Sequence, residues 1–129
     1  MPSSAATASS RPTRTRANRA NDVLEQIRRS RANRVKVAIT DLDGILRGKF
    51  ISREKFLSAA APPPAGGIGF CDVVFGWDSH DACYDNAQLT GWHKGFPDAL
   101  VRLDLTTHRS VPWDNDVPFF PGEFVRRSA

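Results

Sequence analysis

Asp78, His80, Asp81, Cys83 and Asp85 fall within eight consecutive residues. Carboxylate, imidazole and thiol together are the donor types of a metal site. No H-x-x-x-H, C-x-x-C or calcium-loop spacing accompanies them, so the favoured reading is a polar loop that presents carboxylates to something else. The run Tyr84-Asp85-Asn86-Ala87-Gln88-Leu89-Thr90-Gly91-Trp92 then sets an acid among aromatics. That combination suits a cation: the carboxylate supplies charge, and an indole face adds cation–π attraction. Gly91 allows a sharp backbone turn. A third candidate, Asp41-Leu42-Asp43-Gly44, closes an apolar run with two carboxylates. One reading of this pair is a reactive acid site. The competing reading is a hairpin turn whose Asp-Gly pair supplies unusual backbone angles.

The elements that must position these residues are short. Residues 21–32 read as a helix, with Asn21 as N-cap and Asp22 and Glu25 in the first turn. In 35–42 apolar and polar residues alternate as in a strand. ILRGKFIS (45–52) reads as the return strand of a hairpin. Ser52 caps a short helix over 53–60, with Phe56 and Leu57 inward. APPPAGG (61–67) is a loop, 68–77 a strand, and 98–113 one bent strand or two. The apolar end PFFPGEF completes no evident element; its Phe119, Phe120 and Phe124 would suit an exposed patch seeking a partner. Trp77 and Trp113 read as packing residues, and Arg47 and Lys49 as a solvated strand face. Strands with few short helices imply an α+β structure, a mixed sheet covered on one face.

The 129 residues allow one domain with a tail. No apolar run approaches the roughly 20 residues that span a bilayer, so no membrane partner is expected. Two cysteines make no disulfide framework. The net charge of +4 is unevenly placed: residues 1–34 hold eight Arg against Asp22 and Glu25, whereas 35–129 are mildly acidic. The basic stretch 11–34 carries no aromatic residue, which argues against specific nucleic-acid binding. Residues 1–20 lack any large apolar side chain except Met1 and read as a disordered tail before a domain over 21–129. Their Ser- and Arg-rich composition also fits a transit peptide, but without Leu, Ile or Phe to form an apolar face. A cytoplasmic location is the expectation.

Two family resemblances follow. The D-x-D-G turn resembles the nucleophile motif of haloacid-dehalogenase phosphatases, which implies Asp41 as the nucleophile for a phosphoryl group and Asp43 as acid/base beside a bound Mg²⁺. Ile45 stands where that family has Thr, and the repeated βα units of its doubly wound sheet are missing. The stronger resemblance covers about 22–124 and is to the N-terminal β-grasp domain of glutamine synthetases, particularly the glutamine-synthetase-like γ-glutamyl ligases. VLEQIRR, VKVAITDLDG, LRGKFIS and FCDVVFGWD…YDN…TGWHKGFPDALVRLDLTTHR occur in that family's order. Its loop Phe-Asp-Gly-Ser-Ser-Ile-x-Gly-Trp aligns without a gap on 84–92. Tyr84, Asp85, Leu89, Gly91 and Trp92 hold matching places, while Asn86, Ala87 and Gln88 depart from Gly-Ser-Ser. Asp98 and Asp104 are similar to a downstream acid pair.

The resemblance implies a β-grasp-like α+β fold within an ATP-dependent glutamate–ammonia or glutamate–amine ligase of nitrogen metabolism. In that family, active sites lie between subunits of an oligomer. One subunit's catalytic domain supplies ATP and divalent metal (Mg or Mn), and ammonia attacks an acyl phosphate of glutamate. The neighbour's N-terminal domain supplies the loop. Asp85 would hold and deprotonate the ammonium or amine, with Tyr84, Gly91 and Trp92 shaping the site and Asp78 and Asp81 adding attraction. No metal ligand and no bound cofactor is expected in this chain itself. Its implied partners are catalytic domains or subunits of the same family, and alone it should not turn over. A non-catalytic interaction protein of the same fold is the alternative.

Overall fold

The computed structural model describes residues 13–62 and 65–125. Among them it has two α-helices, α1 (Arg16–Arg29) and α2 (Arg53–Ala59). The strands are β1 (Arg34–Thr40), β2 (Leu46–Ser52), β3 (Ile68–Cys71), β4 (Asp98–Leu103), β5 (Arg109–Val111) and β6 (Val117–Phe124). They form one mixed six-stranded sheet in the order β2-β1-β6-β4-β3, with β5 paired to β6. This is the expected α+β class, with the helices and sheet of a β-grasp-like fold.

The alternation in β1 sets the layers. Val35, Val37 and Ile39 are fully buried and meet Ile27 of α1, Phe56 of α2 and Phe120 of β6 in one core. The Phe56 and Phe120 rings lie 4.4 Å apart, and burying two such rings is a large share of what holds helix to sheet. The Ser52 hydroxyl accepts the Lys55 amide (3.1 Å) and starts α2 where the sequence places it.

Helix α1 begins earlier than expected. Thr15, not Asn21, is the N-cap; its hydroxyl accepts the Asn18 amide at 3.2 Å. Residues 16–20, assigned to the tail, are therefore helical, while 1–12 lie outside the described residues. An Arg14–Asp22 ion pair (2.7 Å) accompanies the extension. The strand expected over 68–77 stops at Cys71 and turns into a 3₁₀ turn, Asp72–Phe75. The stretch 98–113 resolves into two strands.

The largest correction concerns the apolar end. Residues 117–124 are not an exposed patch but the strand at the middle of the sheet. β6 runs parallel to β1 (Val37 opposite Phe120) and antiparallel to β5 and β4. Phe120 is fully buried, and Phe119 and Phe124 are half-buried. Pro118 and Pro121 disguise this strand, since proline is rare inside sheets. Pro121 sits where β6 changes partner from β5 to β4, so its missing amide leaves that ladder intact. Trp113, read as a packing residue, is 88% exposed.

The sheet curls until its two edges meet. Lys49 of β2 reaches the Gly69 carbonyl of β3 (2.6 Å) and lies over the Phe70 ring. The long connection from β3 to β4 emerges beside this seam.

Candidate functional site

The three acidic motifs have different environments. Asp41 is buried at the end of β1, and its carboxylate builds the hairpin turn. Oδ1 accepts the Asp43 and Ile45 amides (both 2.9 Å), and Oδ2 accepts Arg47 Nε (3.0 Å). Gly44 closes the turn at φ +77°. Burial alone pushes the Asp41 carboxyl up, but the Ile45 amide, the Arg47 guanidinium and the Asp43 amide together hold it below the usual carboxylate range. Asp43 is exposed. With both Asp41 oxygens engaged in the turn, the phosphatase reading loses its nucleophile, and the hairpin reading holds.

The second motif is a compact turn. Trp77 and Cys83 form an antiparallel bridge, and between them the Asp78 amide donates to the Ala82 carbonyl (3.0 Å). Asp78 Oδ1 accepts the His80 (2.8 Å) and Ala82 (3.0 Å) amides. Those Ala82 and His80 bonds hold its carboxyl below the ordinary range. Asp81, at φ +65°, is ion-paired to Arg47. No group of three or more His, Cys, Asp or Glu that could hold a metal ion occurs among the described residues.

The third motif, 84–92, is pinned at both ends and open in the middle. The Tyr84 amide donates to the Gly76 carbonyl at 2.7 Å. At the far end Thr90, 1% exposed, donates its hydroxyl to Asp72 Oδ1 (2.7 Å). Both anchors converge on Gly76. A side chain there would bring a Cβ to 2.6 Å from the Thr90 methyl, so only glycine admits this packing. Gly91 is buried at φ +147°, a conformation that favours glycine, and it leads into the 3₁₀ turn Trp92–Lys94. The turn is held by the Lys94 amide on the Gly91 carbonyl (3.0 Å) and by Lys94 Nζ on the Leu89 carbonyl (2.9 Å).

Between the anchors, side chains face solvent. Asp85 is exposed, and among the described residues its carboxylate has no hydrogen-bond or ion-pair partner. Leu89 is 77% and Trp92 79% exposed, with the Trp92 ring edge-on to Phe96 at 4.9 Å. Tyr84 is also exposed. A carboxylate on the same loop as exposed aromatic and aliphatic groups is able to attract a cationic, partly apolar ligand. Of the acids expected to assist, Asp81 is paired with a guanidinium and Asp78 accepts the amides of its own turn, so both carboxylates are already engaged.

Arg47, read as part of a solvated strand face, is instead largely covered and bonded to Asp41 and Asp81; sequence reasoning missed the contacts of Asp72, Gly76 and Thr90 at the loop's anchors. A signal for Arg47 was present: it is in phase with buried Ile51 on β2, so its side chain faces inward and needs partners. Asp98 and Asp104 do not join the loop. Asp98 begins β4, and Asp104 caps the turn Leu105–Thr107 through Thr106.

Fold and loop together define an α+β module whose longest described connection carries an exposed acid between two anchors. No family model matches the chain. It is 48% identical over 103 residues to "Type-1 glutamine synthetase 2" of Dictyostelium discoideum, covering 80% of this chain and 19% of that protein. It is 35% identical over 91 residues to "Glutamate--isopropylamine ligase" of a Pseudomonas species, covering 70% of this chain and 19% of the relative. Among solved structures it is similar to a GmaS/ADP complex, with a TM-score of 0.53 at 18% identity, over 80% of this chain and 20% of that one. That likeness bears on the fold alone. The chain belongs to the glutamine synthetase family and corresponds to an N-terminal domain of it. It spans about a fifth of the length of these relatives.

Proposed function

We propose that this module supplies the amine-side loop of an ATP-dependent glutamate–amine ligase, to an active site completed by the catalytic domain of a neighbouring subunit. The observation that carries the reading is the free carboxylate of Asp85, held out between two anchors. Ammonium and alkylammonium ions are cations at neutral pH, and they lack the lone pair needed to form an amide bond. A carboxylate in a closing cleft attracts the ion and accepts its proton, leaving the neutral amine as nucleophile. Trp92 and Leu89 offer apolar surface to an alkyl group on that nitrogen. The name of the Pseudomonas relative supports a substituted amine, and so do the departures Asn86, Ala87 and Gln88.

ATP and a divalent metal would supply activation of the glutamate carboxylate in the complete enzyme. The described residues of this chain include no acidic cluster fit to hold that metal. In this reading the metal and nucleotide are held by the catalytic partner, and the isolated module is inactive.

A hybrid enzyme tests the proposal. Residues 13–125 replace the matching stretch of the Dictyostelium discoideum relative, and amide formation is followed with ammonium and with isopropylamine. The expected result is an active hybrid whose KM for amines differs from the parent's by several-fold, with the KM for glutamate and ATP unchanged. An active hybrid with the parent's amine preference, or one altered mainly in ATP use, would count against this role.

A further inference from the structure

Arg47 joins the hairpin to the candidate loop. Its Nε donates to buried Asp41 (3.0 Å), and its Nη2 donates to the Asp78 carbonyl (3.3 Å). Nη1 pairs with Asp81, and the guanidinium lies 4.9 Å above the Trp77 ring. These contacts bridge more than 30 residues of sequence. A planar fork with several donors can hold a carboxylate, a carbonyl and a ring face at once; a lysine ammonium cannot reproduce that geometry. The Arg47 side chain is only 20% exposed, so solvent competes weakly for it.

The clamp acts where the loop begins. The turn Asp78–Ala82 leads through the Trp77–Cys83 bridge to Tyr84, whose amide anchors to Gly76. Asp85 is the next residue. We infer that Arg47 is a positioning residue for the amine-side loop: by clamping Asp81 and the Asp78 carbonyl to the Asp41 turn, it fixes the direction in which Asp85 leaves the fold. This rests on the amine-side reading of Asp85. The buried end is Asp41, bonded within the sheet's own hairpin; the exposed end is Asp81, 60% exposed on the turn. Releasing the clamp at Asp81 should loosen the loop and leave the sheet intact.

The test uses two variants of the chain, with amide exchange followed by NMR. Asp81→Asn removes the loop-side charge at a position where Asn tolerates the positive φ. The Ala82 and Tyr84 amides should exchange about threefold faster, as expected for loss of one partly exposed ion pair. The Asp43 and Ile45 amides and those of β1 and β6 should be unchanged. Arg47→Gln should accelerate both sets, because it also strips buried Asp41. Unchanged Ala82 and Tyr84 exchange in Asp81→Asn, or equal acceleration throughout the sheet, would overturn the clamp. In the hybrid ligase Asp81→Asn should raise the amine KM several-fold at constant KM for glutamate and ATP. If Asp85→Asn raises that KM while Asp81→Asn loosens the loop without moving it, the positioning role fails. If Asp85→Asn itself has no effect, the amine-side reading fails, and the exchange data still decide the clamp.

Discussion

Asp41 and Asp85 are the same residue type in two turns, and their surroundings differ sharply. Asp41 is buried and accepts three bonds, two from amides and one from a guanidinium. Asp85 is exposed between two anchors and, among the described residues, accepts none. A carboxylate engaged by fixed donors is part of the scaffold, because moving it leaves partly buried donors unpaired. A carboxylate held out on a pinned loop is available to a ligand. Both turns are acidic and flanked by apolar residues; what separates them is which donors the fold brings within reach.

The comparison breaks first at Asp41. Asp41→Asn replaces an anion facing Arg47 with a neutral amide and should lower the melting temperature by roughly 10 °C. Calorimetry checks this, and a loss no larger than that of a surface variant would contradict the scaffold role. The loss should also depend on pH. Because the folded-state pKa of Asp41 is depressed, its contribution is present above the ordinary carboxylate range, about pH 4, and lost as pH falls through the lower folded value. The difference between wild type and Asp41→Asn should therefore shrink on acidification. A difference that stays constant down to pH 2 would show that the charge is not what matters.

A smaller effect is expected at the loop's far anchor. Thr90→Val keeps the shape and removes the hydroxyl that Asp72 accepts, at a cost of about 1 kcal/mol. Thermal melts should show a drop of roughly 5 °C. A neutral result would mean that the loop is not pinned there. The smallest effect on stability belongs to Asp85→Asn, whose melting temperature should stay within about 1 °C of wild type. A larger change in either direction would mean that the carboxylate has partners within the fold.

Much of the fold was legible because local signals agreed with each other. The alternation in 35–39, the Asp-Gly turn and the Ser52 cap each placed an element that the structure retains. The start of α1 was obscured because Asn21, a good cap by type, lies inside a helix that Thr15 begins. Strand β6 was hidden for a different reason. Its place at the sheet centre depends on parallel pairing with β1, about 80 residues away, and its two prolines carry the composition of an edge. At the site, the loop could be read from Asp85, Gly91 and Trp92 as a motif. What positions it could not, since Arg47 meets Asp81 and Asp72 meets Thr90 only across tertiary space.

The most direct measurement is the steady-state kinetics of Asp85→Asn in the hybrid ligase, with amine, glutamate and ATP varied in turn. The account predicts an amine KM raised about tenfold or more and a kcat about a hundredfold lower, as for loss of a positioned base, with the KM for glutamate and ATP unchanged. Amine kinetics indistinguishable from those of the unsubstituted hybrid would contradict it.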